Sequence, residues 1–549
     1  MFGHDFCLVS TVLTALGAVL PTLLLLVLSR LLWEFRWSIT RDRACKLPLP
    51  QGSMGWPLVG ESFHWLFQGS SFHISRREKH GNVFKTHLLG KPVIRVTGSE
   101  NIRKILLGEH TLVCTQWPQS TRIILGPHTL VNSVGDLHKR KRKILAKVFS
   151  RGALETYLTR VQDVVKSEIA KWCAENDSVD VYAASKLLTF RIAVRVLLGL
   201  RLDEQRILSL SKTFEQLMNN LFSLPIDNPV SGLRKGIRAR EILHSAMEKI
   251  IEEKLQKQQA SEYCDAFDYI LSSAREDDYD FTMQELKETA VELIFAAQST
   301  TASASTSLIL QLLRHPEVSE RARAELESEG LVGESHSHCR SRCHGNASNE
   351  ESDAAERKSP INKTTCCETA EKDEGRRSRI QVPYLSLEKL SQLSYLDCVV
   401  KEVLRVLPPV SGGYRKVLQT FELNGYQIPK GWSVMYSIRD THETAKAYQN
   451  PELFDPDRFG ADRDESKHER FSYVPFGGGV RSCIGRELAL IVLKTLAVEL
   501  LATAEWSLAT KTYPRMQTVP VVHPVNGLHV YFNYRNHSVE RNRRESTHI

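Results

Sequence analysis

Residues 476–485, Phe476-Gly-Gly-Gly479-Val-Arg481-Ser-Cys483-Ile-Gly485, set a cysteine in a place suited to chemistry. Glycines frame it, Pro475 precedes it, and an apolar stretch from Leu488 to Leu501 follows. Glycine lets backbone approach closely, and N–H groups aimed at sulfur stabilise a thiolate. A helix starting just after Cys483 adds its positive end. A thiolate so held is a strong, electron-rich metal ligand.

The elements that must position this loop read mostly as helix. Apolar residues recur with 3.6-type spacing in 153–173, 184–199 and 237–257. The longest helix should run from Met283 to Arg314, opened by the capping box Thr282-x-x-Glu285 and stopped by His315-Pro316. At about 1.5 Å per residue it spans roughly 48 Å, enough to traverse a whole domain. Its middle is crowded with Ala296, Ala297, Ser299, Ala302, Ser303 and Ala304, small side chains that admit something flat. Residues 85–97 read as a hairpin turning at Gly90-Lys91.

Composition excludes disorder and low-complexity scaffolding: of 549 residues, 42% are hydrophobic and 25% charged. A net charge of +8 suits an anionic membrane surface or an acidic partner and falls short of a nucleic-acid binder. Eleven cysteines, an odd number without regular spacing, favour a reducing compartment. Residues 328–381 are polar and aperiodic. Cys339, Cys343, Cys366 and Cys367, with His336, His338 and His344, match no common zinc spacing, so this stretch reads as a disordered surface insert. The end of the chain, residues 536–549, reads as a polar tail.

From Phe6 to Ser29 no residue is charged. Such a run reaches roughly 36 Å as a helix, against about 30 Å for a bilayer core, so residues 1–30 are expected to be a retained membrane anchor rather than a cleaved signal. Arg30, Arg36, Arg41, Arg43 and Lys46 follow, placing the rest of the chain on the cytosolic side, with Trp33 and Trp37 as interfacial aromatics. That orientation leaves the sequons at Asn346 and Asn362 unused. Residues 31–60, basic and then rich in Pro48, Pro50 and Pro57, are expected to be a stiff hinge.

The loop F-x-x-G-x-R-x-C-x-G resembles the haem-binding signature of the cytochrome P-450 superfamily, with Cys483 at the axial-ligand position. The resemblance covers roughly residues 30 to 535 and implies a mainly α fold with small β-sheets, a haem-thiolate domain over 61–535, and haem b as cofactor. Other markers fall in order. Glu402-Val-Leu-Arg405 matches the E-x-x-R pair, a weak motif alone, and Asp455-Pro-Asp-Arg458-Phe459 resembles the segment whose arginine joins it in a structural network. Thr300, in Ala296-Ala297-Gln298-Ser299-Thr300-Thr301, falls at the position of the hydroxyl that serves dioxygen. Ser299 replaces the usual acid there, so proton delivery must use hydroxyls or water. Phe476 and Arg481 in the signature, His138 and Arg142 one helical turn apart, and Arg415 are implied to meet the haem and its propionates, although Trp is commoner at the position of His138.

Within the superfamily the chain is similar to the vertebrate retinoic-acid-hydroxylating family, through Asn82-Val-Phe-Lys-Thr-His-Leu-Leu-Gly, Asn220-Leu-Phe-Ser-Leu-Pro-Ile-Asp, Pro409-Val-Ser-Gly-Gly-Tyr-Arg and Tyr436-Ser-Ile-Arg-Asp-Thr-His. Absence of the acid before Thr300 points to its B-like and C-like branches, and the long insert to the C-like one. The resemblance implies 4-hydroxylation of all-trans, and also 9-cis, retinoic acid with O2. Trp117, Phe222, Phe295, Pro409, Val410 and Ser411 are the candidate apolar pocket, with Arg95 (or Arg76 or Lys91) as a cation for the carboxylate at its mouth. No nicotinamide or flavin motif is visible, so electrons are expected from NADPH through cytochrome P-450 reductase in the endoplasmic reticulum membrane. Lys139, Arg140, Lys141 and Arg486 would supply its basic docking face. The rivals are oxidation of another apolar acid or a sterol, a reductase-independent haem-thiolate isomerase, and a retinoid-sequestering protein.

Overall fold

The computed structural model describes residues 2–200, 202–257, 265–332 and 382–535. The insert from 333 onward, with its cysteines, histidines and sequons, and the tail from 536 lie outside the described residues.

Helices dominate, and the expected ones form where the periodicity places them. Arg151–Ala174, Val181–Ile192 and Gly232–Lys257 pack with the long helix Met283–Arg314 around one large apolar core. The capping box is complete: Thr282 Oγ1 accepts from the Glu285 N–H at 3.2 Å while Glu285 Oε2 accepts from the Thr282 N–H at 3.1 Å. By length and composition this helix could cross a membrane, but 78% of its apolar window is buried inside the protein, which makes it a core helix.

A five-stranded sheet forms a second body, in the order Val83–Leu88, Lys91–Val96, Ser433–Ser437, Gly412–Val417, Val113–Thr115. The Lys91–Val96 and Ser433–Ser437 strands run parallel and the other pairs antiparallel. The hairpin turns at Leu89-Gly90, one residue before the expected position, because Leu88 pairs with Lys91 and both turn residues take positive φ. A three-stranded sheet and two short hairpins make up the remaining sheets among the described residues.

The amino-terminal helix corrects the expected hinge. It runs from Phe2 to Ile39, ten residues past Ser29, and its last turns dock on the sheet body. Trp33 and Trp37 lie four residues apart, hence on one helix face. Trp33 is buried and donates to the Met54 carbonyl at 3.1 Å. Trp37 meets Trp432 edge-on at 6.1 Å, and Trp432 Nε1 donates to Thr40 Oγ1 at 3.2 Å. The sequence placed both tryptophans at a lipid interface; the apolar face of the sheet takes them instead.

Candidate active site

The cysteine loop is held by its own backbone. The Cys483 N–H donates to the Phe476 carbonyl at 2.9 Å, and the helix Arg486–Thr503 begins three residues on. Gly479 adopts φ +65°, and a Cβ there would lie 2.2 Å from the Leu106 carbonyl oxygen, so only glycine closes this turn. Cys483 is accessible, yet burial pushes its thiol up, opposed by the Gly485 N–H and the Arg142 and Arg486 guanidiniums. Both hold when protein surrounds the sulfur closely while part of its surface stays uncovered. On the long helix Ala296 is exposed and Phe295, Ala297 and Thr300 partly so, although Ile294 and Gln298 beside them are buried. A core helix with an open strip of small residues suits a flat group.

Basic side chains gather next to this loop. Arg142, on the helix Gly135–Ala146, donates to the Ser482 carbonyl at 2.7 Å. Arg415 Nε and Arg481 Nε each donate to one oxygen of Glu109, both at 2.7 Å, and Arg481 also reaches the Ser133 carbonyl. His138 is buried 5.3 Å from the His110 ring, and its Nδ1 has no partner among the described residues. Burial, with Arg481, His110 and Arg142 nearby, holds that imidazole down at about 4. Three guanidiniums against one carboxylate, beside an unpartnered imidazole nitrogen, make a site short of negative charge. Haem fits: Cys483 for iron, small residues for the macrocycle, and His138, Arg142, Arg415 and Arg481 for two propionates, with Phe476 partly buried in the same loop.

The expected structural network is complete and buried. Arg405 donates to Glu402 Oε2 from Nε at 2.7 Å and to Oε1 from Nη2 at 2.9 Å, and Arg458 Nε donates to Oε1 at 3.1 Å. Glu465 holds the other end of Arg458 at 2.5 Å. His442 ties this network to the cysteine loop. Its Nδ1–H donates to the Arg405 carbonyl at 3.0 Å, while Nε2 accepts from the Val474 N–H at 2.9 Å. That pattern requires the neutral ring, and burial keeps it so, holding it down at about 4. Between pH 6.5 and about 4 the unfolded chain takes up a proton that the folded one refuses, so stability falls as pH drops through that window, by roughly 3 kcal/mol at most. Urea titrations at pH 7 and pH 5 should show the loss, and His442→Asn should shrink the difference between them.

The substrate-side expectations divide. Trp117 and Phe295 come together edge-on at 6.3 Å. Pro409 is buried and Val410 exposed; Ser411 donates to the Thr518 carbonyl at 3.1 Å and the Val522 N–H to the Pro409 carbonyl at 3.0 Å, so this segment is knit to the 516–524 hairpin. Phe222 is not brought in: it stands 49% exposed after the helix Glu204–Asn220, near exposed Leu224, Ile226 and Val230. Arg95 is no mouth cation, because its side chain is buried and Nη2 is paired with Asp440 at 2.9 Å. Arg76 is spent on Glu61 at 2.6 Å, which leaves exposed Lys91 without an ion pair among the described residues. Thr300 lines the open strip and donates to the Ala296 carbonyl at 2.7 Å. Ser299 is buried and donates sideways to Gln298 at 2.8 Å, away from the role its position suggested. Lys141 leaves the docking face as well: it is buried against Glu285 at 2.8 Å, whereas Lys139, Arg140 and Arg486 stay exposed.

Several functional positions carried no local signal. Glu109 is a lone acid in the sequence. Glu288 and Glu292 hold the 126–134 loop to the long helix, Glu288 accepting from the His128 N–H and Glu292 from those of Leu130 and Val131, each at 2.7 Å. They thereby place Ser133, whose carbonyl receives Arg481.

Comparison with known proteins agrees with this geometry. The sequence profile of the cytochrome P450 family matches residues 50–337 and 373–530. Human "Cytochrome P450 26C1" is 57% identical over 545 residues, 99% of each chain. "Cytochrome P450 26B1" of Xenopus tropicalis is 52% identical over 97% of this chain and 96% of that one. Among solved structures, "Retinoic acid bound cyanobacterial CYP120A1" superposes with a TM-score of 0.74 at 31% identity, over 89% of this chain and all of that one. With the thiolate loop, the buried Glu402 network and the basic cluster in place, the chain belongs to the cytochrome P450 family.

Proposed function

We propose that the protein is a membrane-anchored haem-thiolate monooxygenase that hydroxylates retinoic acid on its cyclohexenyl ring, inactivating it and so limiting its signalling. What carries this reading is the likeness, over nearly the whole chain, to a P450 whose structure holds retinoic acid, joined to the motifs shared with the retinoic-acid-hydroxylating family. The pairing of Trp117 with Phe295 supplies an apolar wall suited to a polyene, and Lys91 is the remaining candidate for the carboxylate. Electrons would come from NADPH through a membrane-bound reductase that docks on Lys139, Arg140 and Arg486. Exposed Trp56, Leu58, Phe63 and Phe67, with the apolar residues from Val19 to Leu32, support residence at a membrane, which we place in the endoplasmic reticulum with the catalytic body cytosolic.

When bound, haem would supply the activation of dioxygen and the insertion of one of its oxygen atoms into a C–H bond, the other leaving as water. The chain's part is to hold and to protonate. The Gly485 N–H and two guanidiniums keep negative charge on Cys483 tolerable in a buried place. Thr300 spends its hydroxyl proton on the Ala296 carbonyl, so its oxygen lone pairs remain to hold a proton-delivering water beside the open strip. Thr300→Ala should therefore lower product formed per NADPH by about tenfold while NADPH consumption continues and peroxide rises.

The test of the reading is turnover of all-trans and 9-cis retinoic acid by the full-length protein in membranes, with NADPH, reductase and labelled dioxygen. One labelled oxygen in a ring-hydroxylated product is the expected result. Intact thiolate-ligated haem without product would sink the retinoid assignment and turn the search to other apolar acids and sterols; reductase-free conversion would point to an isomerase.

A further inference from the structure

The last turn of the Phe2–Ile39 helix, the linker behind it and the first strand of the sheet enclose a groove of about 600 Å³. Apolar Phe35, Ile39 and Leu49 and cationic Arg41, Arg43 and Lys85 are among the residues that line it. None of these three cations forms an ion pair among the described residues, whereas Lys104, Lys139 and Arg151 each have one. The nearest acid in sequence, Asp42, turns its carboxylate to the Ala44 N–H at 3.0 Å.

The groove is built rather than accidental. Gln427, fully buried, accepts from the Asp42 N–H at 2.9 Å and donates to the Cys45 carbonyl at 3.3 Å and to that of Leu47, and its own N–H donates to the Pro48 carbonyl at 2.9 Å. The Lys85 N–H donates to the Gln51 carbonyl at 2.8 Å, which ties the linker to the first strand. A linker carrying two unpaired arginines is thus pinned by one buried side chain of the sheet body.

We infer that this groove binds the headgroup of an anionic phospholipid, an acyl chain lying along the helix where Leu24, Leu25 and Leu31 stand 61–69% exposed. The inference rests on the reading of that helix as a membrane anchor. An acidic protein segment would satisfy the cations but would leave the apolar lining residues and the adjoining apolar helix without a use. Three cations set beside an apolar surface fit a headgroup with its tail.

The test uses the full-length protein in phosphatidylcholine nanodiscs containing a trace of photoactivatable phosphatidylserine, with labelled peptides mapped by mass. Label should fall on residues 35–49 and around Lys85. It should drop on the order of a hundredfold in R41Q/R43Q/K85Q, and also fall in L49W, which narrows the groove beside the cations without changing charge. The charge-matched control K46Q/R103Q/R151Q should keep it. Label elsewhere, label that survives both groove variants, equal labelling by a photoactivatable phosphatidylcholine, or displacement by retinoate or an acidic peptide rather than by phosphatidylserine would overturn the site. Failure of the wild type to enter neutral nanodiscs would instead overturn the anchor. The groove would then be read by titrating the detergent-free protein with short-chain phosphatidylserine, where binding by wild type but not by R41Q/R43Q/K85Q supports it and no binding rejects it.

Discussion

Cys483→Ser will yield a protein whose turnover falls by at least about a thousandfold, the equivalent of roughly 4 kcal/mol of transition-state stabilisation. Serine keeps its proton under conditions where a thiol ionises and offers a hard neutral oxygen, whereas electron donation from an axial thiolate sulfur is what this haem class uses. The loop itself should survive, because the N–H of residue 483 still reaches the Phe476 carbonyl and Gly479 still closes the turn. The diagnostic measurement is the reduced carbon-monoxide spectrum. Its thiolate-specific Soret band should vanish while circular dichroism and the urea midpoint stay near wild type. A variant retaining that band would mean that another cysteine of the chain ligates the iron.

Glu402→Gln should act on folding rather than on chemistry, and with nearly as large a consequence. The carboxylate accepts two bonds from Arg405, one from Arg458 and one from the Asp455 N–H, and all three side chains are buried. Removing its charge leaves two guanidiniums in the interior with Glu465 as the remaining acid. Breaking a buried pair in this way costs about 3–5 kcal/mol, against a total stability on the order of 5–15 kcal/mol. The expected result is little recoverable haem protein at 37 °C, and rapid thermal inactivation of what is recovered. Arg103→Gln, which breaks an exposed pair with Glu100, should change stability by less than about 1 kcal/mol. If the two variants behave alike, the network does not hold the shell around the cysteine.

How legible the molecule was depended on how local each determinant is. The long helix could be read to its ends because a capping box and a His-Pro stop are written within a few residues of where they act. The cysteine loop was legible for a similar reason: glycine spacing, the thiol and the following helix are contiguous. Arg95 misled, since a cation on a strand next to a pocket looks available until its partner, 345 residues away, is placed beside it. Phe222 misled in the opposite sense, an aromatic expected inside and found half exposed. The tryptophans after the apolar run followed the membrane rule in sequence and broke it in space, because the sheet body offered them a better apolar surface.

The sequence by itself determined the class of fold, the glycine-framed loop around Cys483, the Glu402–Arg405–Arg458 partnership and the family, all of them carried by short motifs or by periodicity. Tertiary structure alone decided that Glu109 lies between Arg415 and Arg481, that His442 ties the network to the cysteine loop, that Lys141 is buried, and that the linker is pinned by Gln427. Each of these joins charges or hydrogen-bonding groups far apart along the chain. A charged group has no preferred partner until burial strips its water and makes an unpaired state too costly, and only the folded chain sets which groups are stripped together.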